Sequence, residues 1–264
     1  MIEDINALLI VKKSLDAKGV LLLSDYTPAN TNEELYLKVR EKENRLLPDE
    51  LVKNLPFIPK NIPHYHEWEL RKKTVEQFCA DLTQQNQPCQ ILDLGCGNGW
   101  FSAIVASISR TKVVGLDLNL PELEQAQRVF EKNNLLFCYG NIFDNLFKSN
   151  SFDRIILCAS IQYFPSINKL FSIFFNILKP NGEIHILDSP FYKIDQVENA
   201  RKRTEAYYTS KGYPEMSKYY FHHTFEDLNP FSPILKVKKY TLIDKLLRKP
   251  TNPFIWVVIR KGLQ

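Results

Sequence analysis

The 264-residue sequence predicts an α/β fold in which a mostly parallel sheet carries helices on both of its faces. Short apolar segments that read as buried strands alternate with helical segments over residues 90–188. This alternation is typical of βαβ units, because parallel strands need a crossover helix between them. Three glycines at alternate positions just after the first of these strands indicate a tight turn into a helix.

The first predicted strand, residues 90–94, contains Asp93 and runs into Gly95, Gly97 and Gly99. Glycine is needed where the backbone adopts a positive φ, or where a ligand approaches with no Cβ in the way. An apolar helical pattern follows at residues 101–108, and a helix N-terminus offers free N–H groups and a partial positive charge. The segment is therefore a candidate ligand-binding turn.

The glycine spacing separates this turn from that of nicotinamide and flavin enzymes. Their fingerprint is G-x-G-x-x-G, and here the bulky Trp100 stands where the third glycine would be, which disfavours a bound pyrophosphate. The order D-x-G-x-G-x-G instead resembles motif I of the class I methyltransferases that depend on S-adenosylmethionine (SAM). In that family the turn cradles the methionine half of SAM. The resemblance implies that SAM contacts Asp93, Gly95, Cys96, Gly97 and Gly99.

The second predicted strand, residues 112–119, reaches an acid at Asp117. A carboxylate at that point can accept hydrogen bonds from both ribose hydroxyls of a nucleoside. The resemblance therefore implies that Asp117 and the adjacent Leu118 bind the cofactor. A helix is predicted at residues 121–133, with Pro121 suited to its first turn.

The third predicted strand, residues 135–139, is followed by the candidate adenine contact. The family often has an aspartate there to bind the adenine amino group, and this chain has Asn141. The carbonyl oxygen of Asn141 can accept the same hydrogen bond, and the backbone at Ile142 would lie beside it. Asp144 is the alternative candidate for this contact.

The remaining strands follow the same alternation. A fourth strand is predicted at residues 151–159, a helix at 167–178 and a fifth strand at 183–188. Two β-rich segments, 235–242 and 253–259, are expected to close the sheet as an antiparallel pair.

These segments carry a more specific resemblance. The sequences SFD at 151–153, QYFP at 162–165 and ILKPNG at 177–182 resemble the small-molecule branch that includes ubiquinone and menaquinone biosynthesis methyltransferases. The resemblance implies a Rossmann-like sheet of seven strands in the order 3-2-1-4-5-7-6. It also places Ser160 in the cofactor site and Gln162 in the shared cleft.

The flanking segments are where acceptor choice must reside. Residues 1–87 read as a mainly helical extension, with 19–23 an alternative short strand, and residues 88–264 as the SAM-binding domain. Within that domain, the insertion 192–233 is rich in aromatic and basic side chains. Ligands of open α/β sheets bind at the carboxyl ends of the strands, which both flanks can reach. We therefore expect a helical lid, whose tyrosines serve as lid core or as a substrate cage.

A general base is useful if the acceptor is a hydroxyl or a protonated amine, and histidine is the usual candidate. The candidates are two pairs, His64 and His66 at the start of a predicted helix and His222 and His223 in the insertion, with His66, His222 and His223 the preferred ones. Exposed or helix-capping roles are the alternative for each, and His185 inside a strand reads as structural. Arg71 either reaches the methionine carboxylate or forms an ion pair with Glu67 one turn away.

Composition narrows the remaining classes. The net charge of +4 is too small to imply nucleic acid, although RNA is not excluded by the basic residues of the insertion. The cysteines are scattered and neither they nor the histidines have metal-ligand spacing, so no metal and no disulfide is expected. The N-terminus lacks a signal-peptide pattern and no apolar run is long enough to span a membrane, so a cytoplasmic protein is expected. The oligomeric state is unknown.

We therefore expect a SAM-dependent methyltransferase that acts on a small organic acceptor and releases S-adenosylhomocysteine (SAH). An RNA or protein methyltransferase and a SAM-binding relative without catalysis are the alternatives. A glycine turn that binds nothing is the structural alternative.

Overall fold

The computed structural model of the protein describes residues 5–11, 14–26, 31–236 and 255–262, which form a nine-stranded sheet surrounded by helices. Across the sheet the strands lie in the order β1-β2-β5-β4-β3-β6-β7-β9-β8. In chain order they are β1 (Ser14–Leu15), β2 (Leu21–Leu22), β3 (Cys89–Leu94), β4 (Thr111–Asp117), β5 (Leu135–Tyr139), β6 (Phe152–Cys158), β7 (Leu178–Ser189), β8 (Ile234–Lys236) and β9 (Ile255–Arg260).

The predicted arrangement of the main strands is confirmed. Strands β3 to β7 are parallel, and β9 pairs antiparallel with both β7 and β8. Counted from β3, the strand order is the 3-2-1-4-5-7-6 that the sequence predicts. The part of the predicted segment 235–242 beyond Lys236 lies outside the described residues.

The predicted number of seven strands is wrong, because two short N-terminal strands extend the sheet. β1 and β2 pair antiparallel around a turn in which Asp16 accepts hydrogen bonds from the backbone N–H groups of Lys18 and Val20. β2 then pairs parallel with β5 and covers an edge that a seven-stranded sheet would leave open. β2 lies within residues 19–23, which the sequence offers as an alternative short strand, whereas β1 has only two residues and no period-2 pattern that would identify it.

Two of the helices begin at a side chain that satisfies a free backbone N–H group. The Asn119 side chain accepts a hydrogen bond from the backbone N–H of Glu122 at 3.1 Å, and Ser166 accepts from that of Lys169 at 3.3 Å. The helices are α1 (Thr31–Lys42), α2 (Asp49–Val52), α3 (Tyr65–Gln85), α4 (Trp100–Val105), α5 (Leu120–Val129), α6 (Ile167–Ile177) and α7 (Ile194–Lys211). Short 3₁₀ helices lie at Ile142–Asp144, Ile161–Tyr163, Pro214–Tyr219 and Glu226–Phe231.

The core lies on both faces of the sheet, as the continuous apolar strands predict. Ile91 and Val113 belong to one buried cluster, while their neighbours Leu92 and Val114 belong to the other. The first cluster contains Phe78 of α3, Phe101 of α4 and Leu123 of α5. The second contains Leu170, Phe171 and Phe174 of α6. Among the described helices, none has the length and apolar character needed to cross a membrane.

Candidate functional site

The glycine turn lies at the carboxyl end of β3, the strand that pairs with β4 on one side and β6 on the other. Gly95, Gly97 and Gly99 have φ values of +76°, +52° and +75°. Side chains disfavour this left-handed region, so glycine suits all three positions. The backbone N–H of Gly95 donates to the carbonyl of Leu116 at 2.8 Å, which ties the turn to β4.

Two of these glycines are also required by packing. A Cβ atom on Gly95 would lie 2.5 Å from the Cβ of Ser160, and one on Gly99 would lie 2.5 Å from Cζ of Phe137. Gly97 has more room, since the nearest atom to its Cβ position is Oε2 of Glu122 at 3.3 Å. Gly95 and Gly99 therefore set how closely neighbouring segments approach the turn.

A cavity of about 270 Å³, which we call the Asp117 cavity, lies on one side of the turn. Oδ2 of Asp117 accepts a hydrogen bond from the backbone N–H of Gly97 at 2.7 Å, and Oδ1 accepts from that of Asn119 at 2.8 Å. Burial raises the pKa of Asp117, and these backbone N–H groups oppose the rise. Each oxygen has two lone pairs, so each can accept a further hydrogen bond from a ligand hydroxyl. Other predicted residues that line this cavity are Gly95, Gly97, Leu118, Asn141, Ile142 and Ser160.

The two candidates for the adenine contact are placed differently. Asn141 lines the Asp117 cavity, and its Oδ1 accepts a hydrogen bond from the backbone N–H of Phe143 at 3.1 Å. Asp144 is exposed and accepts a hydrogen bond from the hydroxyl of Ser24 at 2.7 Å. Asp144 is not among the residues that line this cavity, so the geometry favours Asn141.

A second cavity of about 110 Å³, the Asp93 cavity, lies on the other side of the turn. Asp93, Cys96 and Gly97 line it. Burial raises the pKa of Asp93 to about 7, although the hydrogen bond from the Ser102 hydroxyl opposes this rise. Gly99 is not among the lining residues and acts at the start of α4, where Trp100 packs edge-on against Trp68 with ring centroids 5.3 Å apart.

Charged side chains from distant segments complete the Asp93 cavity. Glu122, Arg40 and Arg71 all line it. Burial raises the pKa of Glu122 to about 7, and the nearby charge of Asp117 adds to this rise while Arg40 opposes it. Two carboxyl groups of this cavity, those of Asp93 and Glu122, therefore change charge near neutral pH.

A third cavity of about 540 Å³, the tyrosine cavity, is enclosed by residues of α1, α3 and α7. Ala159 borders all three cavities, so each of them reaches the residue that follows β6. Gln162 lines the tyrosine cavity, and its Nε2 donates to the carbonyl of Ala159 at 2.6 Å. The tyrosines that line this cavity are Tyr163, Tyr192, Tyr207, Tyr208 and Tyr220. Three of them also pack with Met216 and Val39, so these side chains are both core and cavity wall.

An ion-pair network forms one wall of the tyrosine cavity. Glu43 is buried and lies 3.2 Å from Arg40 and 3.3 Å from Arg45. Glu67 lies 2.6 Å from Arg45 and 2.8 Å from Arg71. Burial raises the pKa of Glu67, but the hydrogen bonds and charges of these two arginines outweigh it and lower the pKa to about 2. Arg71 thus has the predicted Glu67 partner and also lines the Asp93 cavity.

Of the candidate histidines, His64 lines the Asp93 cavity, where its Nε2 lies 2.8 Å from the carbonyl oxygen of Glu43, while the other three lie away from the cavities. His66 is exposed, and His222 shares a hydrogen bond of 2.8 Å with the hydroxyl of Thr204. His223 is buried, and its Nε2 lies 3.2 Å and 3.0 Å from the carbonyl oxygens of Ile161 and Phe164, to which it donates. None of the three lines the three cavities. His185 lies inside the core, where Nδ1 accepts a hydrogen bond from Trp256 at 3.1 Å.

Several site residues escape sequence reasoning. Tyr36 and Arg40 of α1 and Glu122 of α5 line the cavities beside the glycine turn. Glu122 follows Asp117 by five positions, so its place in the first turn of α5 was the one available signal. For α1 no motif distinguishes Tyr36 and Arg40 from surface residues.

The sequence matches the family model described as "Methyltransferase domain" over residues 85–231, which is more than half of the chain. A sterol 24-C-methyltransferase of Debaryomyces hansenii is 27% identical over 149 residues, 54% of this chain and 40% of that protein. The 24-methylenesterol C-methyltransferase 2 of Arabidopsis thaliana is 31% identical over 112 residues, 40% of this chain and 31% of that protein. The matched segments thus span less than half the length of these relatives.

Solved structures are similar in fold. A protein of Galdieria sulphuraria described as a sarcosine dimethylglycine methyltransferase has a TM-score of 0.57 and 14% identity, over 88% of this chain and 99% of that one. Phosphoethanolamine N-methyltransferase 2 of Haemonchus contortus, in complex with phosphomonomethylethanolamine and S-adenosylhomocysteine, has a TM-score of 0.54 and 18% identity. That similarity covers 86% of this chain and 61% of the Haemonchus chain.

Proposed function

The chain belongs to the methyltransferase domain family, and we propose that it transfers a methyl group from SAM to a small polar acceptor bound in the tyrosine cavity. The observation that carries this proposal is the position of Ala159, which borders all three cavities. A cofactor in the Asp117 and Asp93 cavities would meet an acceptor from the tyrosine cavity at this point. Methyl transfer requires such a meeting, because the nucleophile must be held in line with the methyl carbon.

The cofactor is SAM, which supplies an electrophilic methyl group on a sulfonium. We propose that Asp117 accepts hydrogen bonds from the ribose hydroxyls and that Asn141 and the backbone at Ile142 meet the adenine. The backbone of the glycine turn would hold the methionine part, with Arg71 available for its carboxylate. Residues proposed to contact SAM are Asp93, Gly95, Cys96, Gly97, Asp117, Leu118, Asn141, Ile142 and Ser160. Gly99 shapes the turn without lining either cavity.

The character of the tyrosine cavity supports a polar acceptor. Four arginines and three acids line it, and three of those arginines belong to the Glu43 and Glu67 network. An apolar ring system such as a sterol would displace water from these charged groups and offer no hydrogen bonds in its place, which is unfavourable. The names of the relatives therefore support a small-molecule acceptor only loosely, and the quinone branch that the motifs resemble stays a prediction.

We propose that α1 and the insertion 192–233 form the lid over this site, with residues 88–264 as the catalytic domain. Tyr207 of α7 donates a hydrogen bond to Glu43, at the end of α1, over 2.7 Å. Tyr36 of α1 packs edge-on against Tyr163, which in turn packs against Tyr220 of the insertion. These contacts connect both predicted lid segments above the cavities and would exclude water from the reacting groups.

Calorimetric titration with SAH tests the cofactor site. We expect micromolar binding to the wild type and loss of binding in Asp117→Ala, because both carboxylate oxygens would be removed from the ribose. Asp144→Ala is the matched control, since it removes a nearby carboxylate that does not line the cavity. A folded wild-type protein that does not bind SAH, or an Asp144→Ala effect equal to that of Asp117→Ala, would contradict the proposed site.

A further inference from the structure

One cation of the tyrosine cavity is not used by the ion-pair network. Arg203 of α7 lines the cavity and is exposed, and it makes no hydrogen bond or ion pair with the described part of the chain. The other three arginines that line the cavity are paired with Glu43 or Glu67. Arg203 therefore offers an unshared guanidinium, which suits a carboxylate or phosphate group in bidentate geometry.

Tyrosine hydroxyls add hydrogen-bond donors to the same cavity. Tyr192, Tyr208 and Tyr220 line the cavity, and their hydroxyls make no hydrogen bond with any residue that the structure describes. Burial raises the pKa of all three phenols, so they stay protonated and able to donate. Arg203 and Tyr192 line this cavity together, and the charge of Arg203 opposes the rise of the Tyr192 pKa. An anionic ligand group would find a cation and neutral donors together here.

The same cavity also contains a hydrogen-bond acceptor without a donor. Gln162 is 7% exposed, and its Oε1 has no hydrogen-bond partner among the described residues. A buried acceptor left without a donor is unfavourable, so a ligand N–H that reaches it would be stabilised. The faces of the tyrosine rings that line the cavity favour a cationic group as well. Through Ala159, Gln162 adjoins the proposed cofactor site.

Resting on the proposed methyltransferase function, we propose that the acceptor is a small amine that carries an anionic group. Arg203 and the tyrosine hydroxyls hold the carboxylate or phosphate, and Gln162 is a positioning residue that accepts a hydrogen bond from the amine N–H. The bound ammonium first loses one proton to water, which frees the nitrogen lone pair. That lone pair forms the new N–C bond as the C–S bond breaks, with the C–S electron pair passing to sulfur to give SAH. The methylated nitrogen keeps its remaining hydrogens as an ammonium.

Binding to the SAH-saturated protein tests the anion site by calorimetry. The ligands are sarcosine and phosphoethanolamine, with dimethylamine and ethanolamine as counterparts that lack the carboxylate and the phosphate. We expect at least one anionic amine to bind tenfold or more tightly than its counterpart. The sarcosine and phosphoethanolamine arms distinguish a carboxylate from a phosphate as the preferred group.

Two substitutions on the same helix distinguish a direct role of Arg203 from an effect of the net charge of the protein. Arg203→Gln is expected to reduce the tenfold preference to twofold or less, while Arg201→Gln leaves it unchanged, because Arg201 is exposed and does not line the tyrosine cavity. Equal binding of the anionic and neutral amines, no binding of either anionic amine, or an unchanged preference in Arg203→Gln would overturn the inference. Binding of SAH alone is measured first. If the folded protein does not bind SAH, the proposed function itself is contradicted. If it binds SAH but shows no preference for the anionic amines, only this inference is contradicted.

A third comparison tests Gln162. Gln162→Met keeps the size of the side chain but removes the amide acceptor, and near-ultraviolet circular dichroism checks that the protein remains folded. We expect it to weaken sarcosine binding about tenfold and to leave glycine betaine binding unchanged, since betaine has no N–H to donate. Equal effects on the two ligands, or no effect on either, would overturn the role of Gln162.

Discussion

Replacing the third glycine of the turn tests whether that position is dictated by packing. In Gly99→Ala the new Cβ would lie 2.5 Å from Cζ of Phe137 and 2.7 Å from Cβ of Ala126, at a φ of +75°. The left-handed backbone costs about 1–2 kcal/mol for a residue with a side chain. Overpacking a closed core costs typically about 1–3 kcal/mol more. We therefore expect the free energy of unfolding to fall by about 2–5 kcal/mol, a Tm decrease of about 5–15 °C for a chain of this size.

Gly212→Ala is the matched control for this substitution. Gly212 ends α7 with a φ of +87°, and a Cβ there would meet no atom within 4 Å. Gly212→Ala has the cost of the left-handed backbone without a steric clash, so we expect its free energy of unfolding to fall by about 1–2 kcal/mol. Urea and thermal unfolding measure both variants, and equal destabilisation of the two proteins would refute the packing argument. Where Gly99→Ala remains folded, its SAH affinity should be close to that of the wild type.

Three further predictions concern charge, the lid and the base. Because the pKa of Glu122 is raised in the folded state, the folded protein binds more protons than the unfolded chain between pH 5 and 7. The contribution of Glu122 to the free energy of unfolding is therefore complete at acid pH and is lost as the pH rises through about 7. Glu122→Gln should flatten this part of a plot of Tm against pH. A profile parallel to that of the wild type would contradict the assignment. Tyr207→Phe removes a hydrogen bond to Glu43 and should cost about 1 kcal/mol in urea unfolding; an unchanged midpoint would argue against a connection at that point. His66→Asn and His222→Gln should each keep the rate of methyl transfer within threefold of the wild type. A fall of about 100-fold in either variant would indicate that this histidine acts as a general base.

Much of the fold follows from local sequence patterns. Apolar runs identify the strands β3 to β7, and the glycine turn and Pro121 mark where helices begin. The N-terminal hairpin was harder to predict, because β1 and β2 have two residues each and depend on pairing with the edge of β5. Strands of that length are stabilised by their neighbours rather than by their own composition.

The candidate cofactor site was predictable to a similar degree. Asp117 and Asn141 follow strands whose parallel pairing brings their carboxyl ends to one edge, so sequence position alone places them together. The histidines had no comparable constraint. His223 is instead held between the carbonyl oxygens of Ile161 and Phe164, an arrangement that depends on how the insertion folds back.

The sequence by itself determined the glycine turn and the acids and amides at the strand ends, because each depends on residues close together in the chain, while the strand order was what the family resemblance implied. Only the tertiary structure decided the acceptor side of the site. Arg40, Glu43 and Glu67 reach it from segments before the first parallel strand, and Arg203 and Tyr207 from the insertion after the last one. Ion pairs and cavity walls between such distant segments depend on packing in three dimensions, which no local periodicity encodes.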